Sequence, residues 1–276
     1  MIQVYMFRVC KQLRNPYAFC TSTNISTYIF VQACQPKHYQ EDLVGEALQQ
    51  LISSGGYKRE DIWIQTKFTS LDGQDPKRIP YDKFKAAPEQ ARESIEVSRR
   101  NLKCDVIDSL VLHSPMRDGL QPTIDVWRAM EEAVDQGKVQ ILGISNCYDF
   151  QFFTQLYNAA RHKPKVLQNR FYAKSGWDND LRAFCVQNQV LYQSFWTLTA
   201  NPELLQNKFT KQIAAKYKMT EAQVLFKFLI DLGHQPLTGC KSTHHVKEAV
   251  SVKDFARLTE EEIAGLKKLI GDKYPA

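Results

Sequence analysis

Five apolar runs along the 276-residue chain end in side chains that could do chemistry. Lys67 closes DIWIQTK, His113 closes VIDSLVLH, Ser145 and Asn146 close VQILGISN, and Gln168 closes KVLQ. Phe195 ends a fifth run, VLYQSF. An ammonium and an imidazole can hold or move protons, while a hydroxyl and two carboxamides can bond a neutral polar ligand. An aromatic ring can pack on a flat one. Taken singly these residues say little. A strand-end lysine is more often solvated, and His113 alone could be a core histidine bonded to backbone.

The elements that must position these residues alternate in kind. Residues 61–68, 106–113, 139–144, 165–168, 190–195 and 235–239 read as strands. Helical spacing runs through residues 42–51, 89–102, 123–136, 181–188 and 220–229, and Asp149, Thr220 and Thr259 stand where helix caps belong. Strands separated by helices imply a parallel sheet with helices outside it. Seven such units from residue 27 onward favour a closed (β/α)8 TIM barrel, an α/β fold, over a doubly wound sheet. No GxGxxG follows a strand, which weakens the Rossmann alternative. In a barrel, chemistry sits at the C-terminal strand ends, where the residues above lie. Residues 1–26 are different: residues 2–9 could form a strand, and Asn15-Pro16 and Thr21-Ser22-Thr23-Asn24 are loop-like.

Bulk properties narrow the class. Lys and Arg number 36 against 30 Asp and Glu, a net charge of +6. The charges are scattered rather than gathered in a stripe, so nucleic-acid binding is not expected. The seven cysteines are dispersed without a CxxC pair, as in a cytoplasmic protein with reduced thiols. No stretch approaches a membrane span, no secretory signal is evident, and no metal site is expected.

In order, HYQEDLVGEAL (Tyr39), WIQTKF (Lys67), LVLHSP (His113), GISN (Ser145, Asn146), VLQN (Gln168) and YQSFWTL (Phe195) resemble the series that aldo-keto reductases carry on successive strands. The resemblance runs from about residue 32 to the C-terminus. It implies a single barrel domain over residues 1–276 that reduces a small aldehyde or ketone with NADPH, as a monomer or weak oligomer. Tyr39 would then donate a proton to the carbonyl oxygen, with Lys67 lowering its pKa from the usual value of about 10. His113 would orient the substrate. Ser145, Asn146 and Gln168 would bond the nicotinamide carboxamide, and Phe195 would pack on the ring. LTGCKSTHHVKEA resembles the family's adenosine-phosphate loop. There Lys241 and Ser242 would hold the 2′-phosphate, His245 stands where Arg or Gln is common, and Glu248 would bond the adenine amine.

Two departures stand out. Val31-Gln32-Ala33 replaces the family's Asp-Thr-Ala, so Val31 takes the place of the aspartate expected to pair with Lys67. Residues 1–31 form an atypical N-terminal segment that matches nothing in the family's first strand. A second reading therefore stands beside an impaired carbonyl reductase: an inactive nucleotide-binding barrel acting as a regulatory or interaction subunit.

Overall fold

The computed structural model describes residues 3–5, 29–34, 40–240 and 242–274. Tyr39 and Lys241 lie outside them, as do the Asn15-Pro16 and Thr21–Asn24 segments. The chain forms two compact units, Met1–Val166 and Leu167–Ala276.

In the first unit a short strand β1 (Gln3–Tyr5) runs antiparallel to β2 (Ile29–Gln32), with Val4 opposite Val31. This is the atypical part; everything after it is parallel. β2 pairs with β3 (Ile62–Phe68), β3 with β4 (Ile107–Leu112), and β4 with β5 (Val139–Ser145). Between them stand α1 (Glu41–Ser53), α2 (Ala87–Leu102) and α3 (Leu120–Asp135), and α4 (Phe150–Ala159) follows.

The pleat decides which side chains see the helices. Successive strand residues point to opposite faces. Val31, Ala33, Ile62 and Ile64 pack on Val44 and Leu48 of α1 and Leu102 of α2, forming one apolar cluster. Gln32, Gln65 and Lys67 therefore face the other way, and Gln65 Nε2 donates to Gln32 Oε1 at 3.2 Å. α1 seats closely against α2. A Cβ on Gly45 would lie 1.9 Å from the Asn101 carbonyl oxygen, so only glycine permits the approach. Glu41, buried at the start of α1, accepts from Thr66 Oγ1 at 2.6 Å and from Asn101 Nδ2 at 3.2 Å. That brace ties α1 to β3 and α2.

The second unit continues the alternation with β6 (Val166–Arg170), which begins at the boundary, then α5 (Asn179–Gln187) and β7 (Leu191–Phe195). Three helices follow: α6 (Pro202–Gln206), α7 (Lys208–Tyr217) and α8 (Glu221–Asp231). β8 (Gln235–Pro236) pairs in parallel with β7, and α9 (Thr243–Ser251) and α10 (Glu260–Leu269) close the chain. β8 is shorter than the run at residues 235–239 suggests; Leu237 still donates to the Ser194 carbonyl at 2.7 Å, but pairing goes no further. Thr220 and Thr259 each form a reciprocal capping box, and Asp149 caps α4 by accepting from Phe152 N. Among the described residues no helix is long and apolar enough to cross a membrane, and no three potential metal ligands cluster.

Candidate active site

In the first unit, strand register brings the chemical residues level. Gln32 lies opposite Gln65, so Cys34 and Lys67, each two residues further on, lie opposite one another on the same face. The Ala33 N–H donation to the Gln65 carbonyl at 2.8 Å carries that pairing past the end of β2. Lys67 is in turn level with Val111 and Gly143. One step beyond, Thr69, His113 and Ser145 stand side by side, and His113 N–H donates to the Phe68 carbonyl at 2.8 Å.

The side chains converge. Thr69 Oγ1 is 2.8 Å from His113 Nδ1, and Cys34 Sγ is 3.7 Å from that nitrogen and 3.9 Å from Thr69 Oγ1. Lys67 is buried at 4% exposure. Burial pulls its pKa below the ordinary lysine value, and the negative charge available at Cys34 opposes that pull. Burial, reinforced by the Lys67 charge, lowers the pKa of His113 to about 3. The imidazole is therefore neutral at physiological pH.

Asn146 acts as a brace. Its φ is 54°, in the left-handed region that asparagine tolerates better than most residues. Its Nδ2 donates to the His113 carbonyl at 2.8 Å and to Ser145 Oγ at 3.3 Å, while Oδ1 accepts from Tyr148 OH at 3.3 Å. The ends of β4 and β5 are thus locked together, with Ser145 buried beneath.

One expectation is corrected here. Val31 does not face Lys67: it sits in the apolar cluster against α1 and α2, on the opposite side of the sheet. The residue level with Lys67 is Cys34. Matching Val31-Gln32-Ala33 to the family's Asp-Thr-Ala is not supported by the strand register. Strand alternation, with Val31, Ile62 and Ile64 on one apolar face, was the signal that would have found Cys34. Thr69, just past the strand end, was also missed.

In the second unit Gln168 is buried and its Nε2 donates to Gln193 Oε1 at 2.7 Å. Gln193 passes the pattern on to Gln235 Oε1 at 2.8 Å. Phe195 joins an aromatic group around Arg170, whose guanidinium carbon lies 4.2 Å from the Trp196 ring centre, 5.4 Å from Tyr172 and 5.9 Å from Phe195. Trp196 is 55% exposed with φ 56°, which turns the chain sharply after β7. The segment expected to hold the adenosine phosphate is helical from Thr243 onward. Ser242 is the N-cap of α9, its Oγ accepting from His245 N at 3.2 Å. His245 is exposed, and Glu248 pairs with His244 at 3.6 Å.

Comparison with known proteins accords with this geometry. The family model described as "Aldo/keto reductase family" matches residues 26–270. A 9,11-endoperoxide prostaglandin H2 reductase of Trypanosoma cruzi is 30% identical over 226 residues, covering 80% of this chain and 72% of the relative. The aldose reductase of Schistosoma japonicum has a similar structure, with TM-score 0.71, 24% identity and coverage of 87% and 79% of the two chains. A Bombyx mori aldo-keto reductase solved with NADP gives TM-score 0.71 at 21% identity, covering 87% of this chain and 77% of that one. The α/β class read from the sequence, the (β/α)8 type with atypical first strands, agrees with these neighbours. The chain belongs to the aldo/keto reductase family, a family of oxidoreductases acting on small carbonyl compounds.

Proposed function

We propose that the protein reduces aldehyde or ketone carbonyls to alcohols with NADPH, using Tyr39, Lys67 and His113. The observation that carries this reading is the buried Lys67 beside a neutral His113 whose Nδ1 is engaged by Thr69. In the tautomer in which the Thr69 hydroxyl donates to Nδ1, Nε2 carries the imidazole proton and can donate it to a substrate oxygen. The Asn146 brace on the His113 carbonyl holds that ring at its height above β4. Tyr39 delivers the proton that the developing alkoxide needs, and Lys67, when charged, favours the phenolate left behind. When bound, the nicotinamide supplies the hydride.

The residues present suit NADPH. Ser242 caps a nine-residue helix whose exposed first turn offers N–H groups and a positive dipole end, a favourable place for a phosphate. Lys241 precedes it, adding charge. Ser145 keeps its hydroxyl proton available for the carboxamide. Asn146 and Gln168 serve that group less directly, because their amide donors already hold His113, Ser145 and Gln193.

Cofactor titration by tryptophan fluorescence should show NADPH binding about ten- to hundredfold more tightly than NADH, since one charge-assisted phosphate contact is worth roughly 1–3 kcal/mol. Lys241→Ala should erase most of the difference. Equal affinities of the unaltered chain for both cofactors would remove the NADPH assignment. The thiol beside Lys67, where a carboxylate would be a stronger anion, favours a second reading, a nucleotide-binding barrel without turnover; an assay of carbonyl-dependent NADPH oxidation separates the two.

A further inference from the structure

We propose that Cys34 is a positioning residue that serves as the anionic partner of Lys67, its thiolate holding the ammonium in place on the face of the sheet that carries His113. Cys34 and Lys67 occupy level positions on adjacent parallel strands and point to the same side. Adjacent strands lie about 4.8 Å apart, so side chains level on one face are close enough to pair. The proton balance is simple: the thiol gives its proton to the Lys67 amine, and a thiolate and an ammonium result. Each charge alone would be penalised by burial; formed together, their attraction opposes that penalty. Among the described residues the ionisable side chains shown facing Cys34 are Lys67 from β3 and His113 from the end of β4, with the neutral Thr69 hydroxyl between. His113 stays uncharged, so it does not compete for the thiolate's charge. Glu41, the nearest carboxylate in sequence, is occupied by Thr66 and Asn101; Thr66 alternates with Lys67 along β3 and so points to the helix side.

The consequence for turnover rests on the carbonyl-reductase reading, but the pairing itself does not. Thiolate absorbance in the ultraviolet, followed against pH in the full chain and corrected by subtracting Cys34→Ser, isolates the titration of Cys34 whether or not the protein is an active enzyme. Thiolate should appear below the ordinary thiol value of about 8.5, and Lys67→Gln should move it upward by a pH unit or more, within the range of roughly 1–3 units expected for removing an adjacent opposite charge. Titration of Cys34 at or above the ordinary value, or no response to Lys67→Gln, would overturn the proposal. Cys34→Asp keeps an anion at the position and serves as the reference if Cys34→Ser does not fold. In steady-state assays Cys34→Ser should lower kcat about tenfold and shift its pH profile, and Cys34→Asp should restore both; loss of a packing contact alone would lower stability without moving the profile. Unchanged kcat and profile in Cys34→Ser would likewise contradict the pairing, whereas an inactive wild type with the expected titration would fault only the reductase reading.

Discussion

Lys67 and His113 show how much two side chains owe to their depth. The same residues on a solvated strand end would titrate near their ordinary values; here burial lowers both, and His113 reaches about 3. On the proposed reading His113 would act as a neutral hydrogen-bond donor rather than as a proton source. The pH profile of kcat should therefore show no inflection near 6.5 attributable to His113, and His113→Phe should cut kcat about a hundredfold, the usual cost of losing one donor to a developing oxyanion. NADPH affinity should change little, and a large loss of affinity with kcat intact would place His113 at the cofactor instead. Tyr39→Phe should likewise remove most of the turnover while sparing cofactor binding. His113 was legible in the sequence because a strongly apolar strand ends on it. Cys34 was not. It follows a strand of four residues, and a cysteine draws no attention until the neighbouring strand shows that it stands level with a lysine.

Elements explain why Val31 was misplaced and what a carboxylate there would do. β2 alternates, and its apolar face belongs to α1 and α2. Val31→Asp would bury an unpaired carboxylate among Val44, Leu48, Ile64 and Leu102, costing at least about 2 kcal/mol. Denaturant melts should show that loss with no gain in kcat; a faster enzyme of unchanged stability would mean that position 31 does reach Lys67. The caps at Asp149, Thr220 and Thr259 were readable because each is a short polar side chain just before a helix, and the structure uses all three. α6 and α7 were not read. α6 is five residues long, too short for a clear periodic pattern, and Asn207 ends it while capping α7. α9 was not read as a helix, although Ser242, expected to hold the adenosine phosphate, is also the polar cap that opens it. Gly45→Ala should also destabilise, by roughly 1–3 kcal/mol as an overpacked contact, since its Cβ would meet the Asn101 carbonyl.

Across the whole molecule two histidines couple folding to pH. Burial is the first cause of the depressed pKa at His113 and at His234, the latter aided by Arg182, whose Nη1 donates to His234 Nε2 at 3.2 Å. Unfolded, each binds a proton near pH 6.5; folded, each refuses it until far lower pH, to about 3 for His113. The unfolded chain therefore takes up protons that the folded chain does not, and stability falls as pH drops below about 6.5, by roughly 1.4 kcal/mol per pH unit for each group. Thermal melts at pH 7 and 5 should show the decline, and His234→Gln, which keeps an acceptor for Arg182, should lessen it; an identical decline in that variant would clear His234 of the effect. The proposed reading is that buried Lys67 and His113 serve carbonyl reduction. Its most direct test is the loss of NADPH absorbance when the purified chain meets a panel of aldehydes and ketones, with Lys67→Met measured alongside. We expect carbonyl-dependent NADPH oxidation by the unaltered chain and a rate at least about a hundredfold lower in Lys67→Met, with NADPH still bound by both. A chain that binds NADPH but oxidises none with any carbonyl, or a Lys67→Met variant as fast as the unaltered protein, would contradict it.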